Sequence, residues 1–170
     1  DRGFKVVVSG EGADEVLAGY DIFKEAAIRR FWSRQPASRM RPLLFRRLYA
    51  DIPGLNETGP AFLTAFFGGG IEETGSPWYS HLVRWRNNAR ARRFFSSDTA
   101  AALDRTRPPD LELPADFMQW GALERAQYLE SAIFLSQYLL SSQGDRVAMA
   151  HSVESRMPFL DYRVVEFCNR

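Results

Sequence analysis

The fold of this chain is decided by residues 4–15, FKVVVSGEGADE. Residues 4–8 form a short β-branched run before a glycine-containing turn, which predicts a strand buried on both faces. Beyond the turn, apolar side chains recur at helical spacing at Val16, Tyr20, Phe23, Ala27 and Phe31. This spacing predicts one amphipathic helix that ends before Pro36. The chain is therefore expected to open with a strand, a glycine-rich turn and a helix.

The rest of the chain predicts helices and no second strand. Short helices are expected near residues 39–49, 78–93 and 98–105, with loops at 51–60 and 68–77 and a proline-rich linker at 107–114. A later helix should have a wide apolar face formed by Tyr128, Leu129, Ala132, Ile133, Leu135, Leu139 and Leu140. Gly144 is its predicted end.

A single buried strand needs hydrogen-bond partners that this pattern does not predict. We therefore expect the sheet to be completed elsewhere. The sequence also has no initiator Met and stops at Arg170, directly after an apolar periodic segment. We interpret the 170 residues as a piece of a larger chain.

The composition is typical of a packed domain. Hydrophobic residues make up 45% and aromatic residues 14% of the chain, which argues against disorder. The formal net charge of +1 argues against a polyelectrolyte partner, and no apolar run is long enough to span a membrane. There is no recognisable signal or transit sequence. Cys168 is the one cysteine, so no intrachain disulfide can form and a cytoplasmic location is expected.

One arginine cluster allows two interpretations. It contains Arg84, Arg86, Arg90, Arg92 and Arg93, interleaved with Trp85, Phe94 and Phe95. Such a mixture fits nucleic-acid binding, or a non-catalytic helical interaction module. A solvated or docking helix face is favoured, because Arg86, Arg90 and Arg93 have helical spacing and no binding motif accompanies them, so nucleic acid is not expected as a partner.

The turn at residues 9–15 is the first candidate site. It follows the carboxyl end of a strand and precedes a helix, which is where α/β proteins bind ligands. Gly10 and Gly12 allow close approach of a ligand, but Glu11, Asp14 and Glu15 would repel a bare polyphosphate. A bridging Mg²⁺ would resolve that conflict. Equally, the turn could be a tight connection with carboxylates that favour the helix dipole, and both interpretations stay open.

The second candidate segment is residues 141–161, where charged groups interrupt apolar surroundings. One interpretation is a buried ion-pair network, whose members would be Asp145, Arg146, Glu154, Arg156 and Asp161. His151 is expected to be structural, since one other histidine and one cysteine cannot form a zinc cluster.

Together the two segments resemble the glutamine-dependent asparagine synthetases, specifically their synthetase domain. Residues 9–20, SGEGADEVLAGY, resemble the signature Ser-Gly-Glu-Gly-(Ser/Ala)-Asp-Glu of that family. Asp145-Arg146, AHSVE at residues 150–154, Arg156 and PFLD at residues 158–161 resemble its second block.

This resemblance implies an adenine nucleotide alpha-hydrolase-like (PP-loop ATPase) α/β fold. It implies that ATP adenylates the side-chain carboxylate of aspartate and that ammonia from glutamine attacks the β-aspartyl-AMP, with Mg²⁺ as cofactor. By position, Ser9 and Gly10 match ATP contacts, Glu11 matches the catalytic residue linked to the acyl-adenylate, and Asp14 matches an acidic position near Mg²⁺ and pyrophosphate. Asp145, Arg146, Glu154 and Arg156 match active-site or structural positions of the second block.

The sequence departs from the family pattern in ways that matter for activity. It lacks the pyrophosphate loop Ser-Gly-Gly-x-Asp-Ser, the glutaminase domain and a downstream lysine. We therefore expect this segment by itself to be inactive. Gln143 also stands where many members have Lys or Arg. This leaves open another carboxylate acceptor, as in β-lactam synthetases or peptide-tailoring amide synthetases.

Overall fold

The computed structural model describes residues 3–49, 51–54, 57–106 and 111–170. These residues divide into a unit that contains residues 1–23 and 120–170 and a second unit that contains residues 24–119. We call them the strand unit and the helical unit. The strands are β1 (Val6–Val8) and β2 (Glu154–Arg156). The α-helices are α1 (Ala13–Val16), α2 (Asp21–Ser33), α3 (Leu44–Leu48), α4 (Pro60–Phe67), α5 (Leu82–Ala89), α6 (Ser97–Arg105), α7 (Ala122–Leu129), α8 (Arg146–Ala150) and α9 (Tyr162–Cys168).

The strand predicted at residues 4–8 exists as β1 and has a partner inside this chain. β1 pairs in parallel with β2, so that Val6, Val7 and Val8 lie opposite Glu154, Ser155 and Arg156. Backbone hydrogen bonds of 2.8 Å from Glu154 N to Lys5 O and 2.9 Å from Ser9 N to Arg156 O extend the pairing at both ends. The expectation of an unpartnered strand is therefore wrong. Residues 154–156 are polar and lack the β-branched composition that predicts a buried strand, and Glu154 and Arg156 are exposed in the structure.

The prediction that β1 is buried on both faces is also wrong for the described residues. Val6 and Val7 are each 42% exposed and Val8 is 72% exposed. The sheet has two strands in the part of the chain that the structure describes, and neither face of β1 is covered there. The apolar composition of β1 therefore predicts more burial than the strand has in the described part of the chain.

The helix predicted after the turn is broken into two. Between α1 and α2 the chain turns at residues 17–20, where Ala18 has a φ of 56°. In α2, Phe23 is buried as predicted, but the other buried positions include Ile22, Ala26, Arg29 and Trp32, and the predicted Ala27 and Phe31 are exposed. The break rotates α2 relative to the face predicted for a single helix. Apolar spacing counted through both helices therefore does not identify most of the buried residues of α2.

The late helical segment continues past its predicted end. After α7, residues Glu130–Asp145 form a π-helix with hydrogen bonds between residues five apart, and α8 follows directly. Gly144 therefore lies inside a helical segment and does not end it. Leu129 and Leu135 are buried, in agreement with the predicted apolar face. A π-helix of this length is uncommon.

The helical unit confirms the short helices predicted at residues 39–49, 78–93 and 98–105. Two of them include a 3₁₀ turn, at Arg41–Leu43 and at Arg90–Phe94. Helix α4 was not among the predicted helices, because the turn residues around it favoured a loop. Part of the predicted proline-rich linker, residues 107–110, lies outside the described residues.

The core of the helical unit is an aromatic cluster. Trp32, Phe45, Leu63 and Phe67 are buried together, and the rings of Phe45 and Phe67 stack with centroids 3.9 Å apart. Because α2, α3 and α4 each contribute at least one of these side chains, burial of the cluster holds the three helices together.

Arg29 of α2 fixes the loop that follows α4. Its guanidinium is fully buried and donates through Nε to Phe67 O (3.0 Å), through Nη1 to Tyr79 O (2.9 Å) and through Nη2 to Gly69 O (2.7 Å). It also lies 4.6 Å from the centroid of the Tyr79 ring. Burial lowers the pKa of Arg29, and its fork of donors binds three backbone carbonyls, two of which belong to the buried residues Phe67 and Tyr79.

The first prediction concerns this fork. Arg29→Lys keeps the positive charge but cannot reach three carbonyls in one plane, so the free energy of unfolding should fall by about 2 kcal/mol or more. Chemical denaturation measures this change. Arg34→Lys, on the exposed end of the same segment, is the control and should be nearly neutral. Equal stability of the Arg29→Lys protein and the unsubstituted protein would contradict the role assigned to the fork.

Candidate functional site

The turn at residues 9–12 is held by the end of β1 and the start of α1. The Ser9 hydroxyl accepts a hydrogen bond from the Glu11 amide at 3.1 Å, and the Ala13 amide donates to Gly10 O at 3.1 Å. The amide of Ser9 belongs to the pairing with β2. The turn is therefore ordered by local hydrogen bonds before any ligand is considered.

Gly12 is the point at which the two motif segments touch. Its φ is 90°, a left-handed conformation that a side chain strains, and a Cβ at this position would overlap with the Leu160 side chain. Leu160 belongs to PFLD at residues 158–161, in the second segment. The need for glycine is thus both conformational and steric.

Glu11 and Asp14 are both accessible at the turn. Glu11 is partly buried and Asp14 is exposed. The Asp14 side chain occupies the space beside Gly19, where a Cβ would overlap with Oδ1, and the Gly19 amide donates to Asp14 O at 2.8 Å. Gly19 therefore leaves room for the Asp14 carboxylate in its present orientation.

Glu15 is the buried carboxylate of the turn. It is 1% exposed, and its Oε1 has no hydrogen-bond partner among the described residues. Burial raises the pKa of Glu15, with smaller contributions from the negative charges of Asp14 and Glu11. The pKa of the Tyr20 hydroxyl is raised by its own burial and by the adjacent Glu15. Glu15 is thus buried beside the half-buried Tyr20, whereas Glu11 is partly buried and Asp14 is exposed.

Gln127 of α7 completes the support of this turn. Its Nε2 donates to Glu15 O and to Val16 O, each at 2.9 Å. These are carbonyls at the end of α1, which lack helical partners. The sequence does not mark Gln127, because a glutamine more than a hundred residues away shows no local signal of this contact.

The second segment does not form the buried ion-pair network that its sequence suggested. Arg156 Nε contacts Glu154 Oε1 at 2.6 Å on the surface, and Asp161 pairs with Arg163. Neither Asp145 nor Arg146 has an ion pair in the described part of the chain, and both are exposed. Glu154 and Arg156 are two residues apart on β2, so their side chains lie on the same face of the strand, and both are exposed.

Asp145 and Glu154 nevertheless share a cavity of about 530 Å³. Ala148, Met149, Ser152, Val153 and Ser155 also line it. The cavity lies where the end of the helical segment meets β2 in the strand unit. His151 is exposed next to it, and Nδ1 of its ring lies 2.9 Å from Val147 O.

The arginine cluster carries ion pairs along the exposed side of α5 and the turn after it. Arg84 contacts Glu25, Arg86 contacts Glu73 at 2.7 Å, and Arg92 contacts Asp104. Arg86, Arg90 and Arg93 are exposed as predicted. Trp85 is 38% exposed and packs beside Trp78.

No group of three or more metal-ligating side chains is found in the residues that the structure describes. Within the same residues, no helix has both the length and the apolar character needed to cross a membrane. Glu11 and Asp14 could supply one or two carboxylates to Mg²⁺, whose other ligands are commonly phosphate oxygens and water.

The second prediction tests the contact between the two segments. Gly12→Ala should lower the free energy of unfolding by about 1–3 kcal/mol, because alanine is strained at this φ and its Cβ displaces Leu160. Gly10→Ala is the matched control, since a Cβ there meets nothing within 4 Å. Equal denaturation midpoints for the two variants would contradict the contact.

The third prediction follows from the raised pKa of Glu15. Its folded-state pKa lies above the unfolded value of about 4.5, so the folded chain holds this proton more tightly. Glu15 therefore lowers the free energy of unfolding least at a pH below its unfolded-state pKa, where it is protonated in both states. The free energy of unfolding then falls as the pH rises through the folded-state pKa. In urea denaturation, Glu15→Gln should gain stability relative to the unsubstituted protein between pH 4 and pH 7. Glu166→Gln, on the exposed face of α9, is the control, and parallel pH curves for all three proteins would contradict the prediction.

The chain is similar to curated proteins of two descriptions. It is 28% identical to "Amidase chyE" of Penicillium rubens and 27% identical to "Amidase chry2" of Gibberella zeae, in each case over 99% of this chain and 26% of the relative. It is 30% identical to a Mycobacterium tuberculosis protein described as "Putative asparagine synthetase (glutamine-hydrolyzing)", over 98% of this chain and 24% of that protein. The chain thus spans about a quarter of the length of these relatives. No solved structure is significantly similar to it.

The family comparison agrees with the two motif segments that the structure brings together. The asparagine synthase family model matches residues 1–170, which is the whole chain. This chain therefore belongs to the asparagine synthase family.

Proposed function

We propose that this chain is part of an ATP-dependent amide-forming ligase and that residues 9–15 contribute to its adenylation site. The observation that carries the proposal is the parallel pairing of β1 with β2, which brings both motif segments to one place. Gly12 and Leu160 are in contact there, although 148 positions separate them in the sequence. The same parallel pairing supports an adenine nucleotide alpha-hydrolase-like fold.

The turn has the properties that nucleotide chemistry requires. The space beside Gly10 is open and allows a phosphate to approach, and the Ser9 hydroxyl orders the Glu11 amide. We assign Ser9 and Gly10 to ATP contact and Asp14 to the pyrophosphate side, where its exposed carboxylate could bind Mg²⁺ together with phosphate oxygens. The metal would neutralise phosphate charge when bound.

The proposed reaction has two balanced steps. A substrate carboxylate oxygen attacks the α-phosphorus of ATP, the α–β phosphoanhydride bond breaks, and pyrophosphate leaves. Ammonia nitrogen then attacks the carbonyl carbon of the acyl-adenylate, AMP leaves, and the nitrogen loses a proton. We propose glutamine, processed by a glutaminase domain of the whole protein, as the source of ammonia, in a cytoplasmic enzyme.

Glu11 is the candidate catalytic residue. Its backbone amide is held by the Ser9 hydroxyl, and the residue lies between Gly10 and Gly12 at the carboxyl end of β1, where its charge rather than its packing is useful. It could stabilise the adenylation step or accept the proton lost by nitrogen. Because Glu11 is adjacent to the proposed phosphate contact at Gly10, we favour adenylation.

Aspartate is the leading acceptor, and a different carboxylate is the second candidate. Gln143 favours the second candidate. It is a neutral amide at the exposed end of the π-helix, whereas a cation at this position would help to hold an acidic acceptor such as aspartate. Two of the similar proteins are also described as amidases. Asparagine and another amide therefore remain separate proposed products of the same chemistry.

The fourth prediction tests this function in the full-length protein. ATP–pyrophosphate exchange, measured across a panel of carboxylates that includes aspartate, should identify the acceptor. With that acceptor, Glu11→Gln should lower exchange and amide formation together by about 10²- to 10⁴-fold. Glu166→Gln, remote in sequence from the turn and exposed, should leave both rates unchanged.

The outcomes separate the roles of the turn. Loss of amide formation with exchange preserved would make Glu11 a base in the second step. Unchanged rates for both steps would mean that the assignment of the turn is wrong. Absence of exchange with every carboxylate tested, in a folded protein that contains the whole synthetase domain, would overturn the proposed function.

A further inference from the structure

A cavity of about 410 Å³ lies within the helical unit, apart from the motif residues. Its walls are mainly apolar and aromatic, and Phe62, Phe66 and Phe67 of α4 form one side. The rings of Phe62 and Phe66 are nearly parallel, with centroids 6.1 Å apart, and both side chains are more than 40% exposed. This volume and lining are typical of a site for a small organic molecule.

One buried carboxylate lines this apolar cavity. Glu25 of α2 is 4% exposed, and its Oε1 accepts hydrogen bonds from the Tyr49 hydroxyl and from Arg84 Nη2. Its other oxygen, Oε2, is buried without a hydrogen-bond partner among the described residues. A buried acceptor that lacks a donor costs free energy, so a ligand that donates to Oε2 would recover it.

The charges of the cavity favour a neutral ligand. Glu25 and Arg84 form an ion pair at 3.3 Å and balance one another. The other polar side chains of the lining are Tyr49, Asn87 and Asn88, which carry no charge at neutral pH. A cationic ligand would add an unbalanced charge beside Arg84, and an anionic one would be repelled by Glu25.

We propose that this cavity binds a neutral, flat aromatic molecule with a single N–H donor, of the indole type. The ring packs against Phe62 and Phe66, and the N–H donates to Oε2 of Glu25 once the carboxylate rotates toward the cavity, because Oε2 itself is buried in this structure. All residues of this site belong to the helical unit, and the proposal is independent of the adenylation chemistry.

Indole and 1-methylindole are the matched probes, because the methyl group removes the donor while the ring remains. Isothermal titration calorimetry on the full-length protein should give indole an affinity about 10- to 100-fold higher than that of 1-methylindole, as for a hydrogen bond to a charged acceptor. Equal affinities, or no binding of either probe, would overturn the proposal. Tighter binding of 2-phenylethylammonium than of indole would overturn the choice of a neutral ligand.

Two variants locate the site. Glu25→Gln should remove most of the preference for indole over 1-methylindole, whereas Glu72→Gln, an exposed glutamate of the same unit, should leave it intact. If Glu25→Gln fails to fold by circular dichroism, Asn88→Trp provides the test. Asn88 is exposed and lines the cavity, so tryptophan there should block both probes. Binding unaffected by Asn88→Trp would place the probes elsewhere and contradict the proposal.

Discussion

The parallel pairing of β1 with β2 is the interaction on which the candidate site depends. It places Val6, Val7 and Val8 beside residues 154–156, and the backbone bond from Ser9 to Arg156 carries the pairing into the turn. Leu160 can then pack against Gly12, where a side chain has no room and the backbone is left-handed. Two segments that are distant in sequence are thus joined by backbone hydrogen bonds and by the packing of Leu160 against Gly12, which has no Cβ.

Around this junction, the carboxylates differ in environment although they are close in sequence. Glu15 is enclosed by α1, Tyr20 and the helix that carries Gln127, and its pKa is raised because burial disfavours its charged form. Glu11 and Asp14 remain accessible to a ligand. This difference in burial supports the ligand roles proposed for Glu11 and Asp14, whereas the enclosed Glu15 has no such role in the proposal.

The helical unit is organised by a different constraint. Arg29 crosses from α2 to the backbone after α4 and satisfies carbonyls of Phe67, Gly69 and Tyr79 with one planar group. The aromatic cluster of Trp32, Phe45, Leu63 and Phe67 provides the hydrophobic stabilisation beside it. Glu25 is buried on the same helix, α2. This helix therefore carries two buried charged groups, Arg29 and Glu25, which have different partners.

The sequence alone determined the strand at Val6–Val8, the turn and most helices, because these depend on local composition and spacing. It also identified both motif segments, and with them the family. It did not reveal β2, whose Glu154, Ser155 and Arg156 lack a strand signal, or the break near Ala18 that rotates the buried face of α2. Tertiary structure decided which carboxylate is buried, which loop Arg29 satisfies, and where Gln127 binds. These outcomes depend on contacts between distant segments, and a local pattern of side chains carries no information about which distant backbone group will lack a partner.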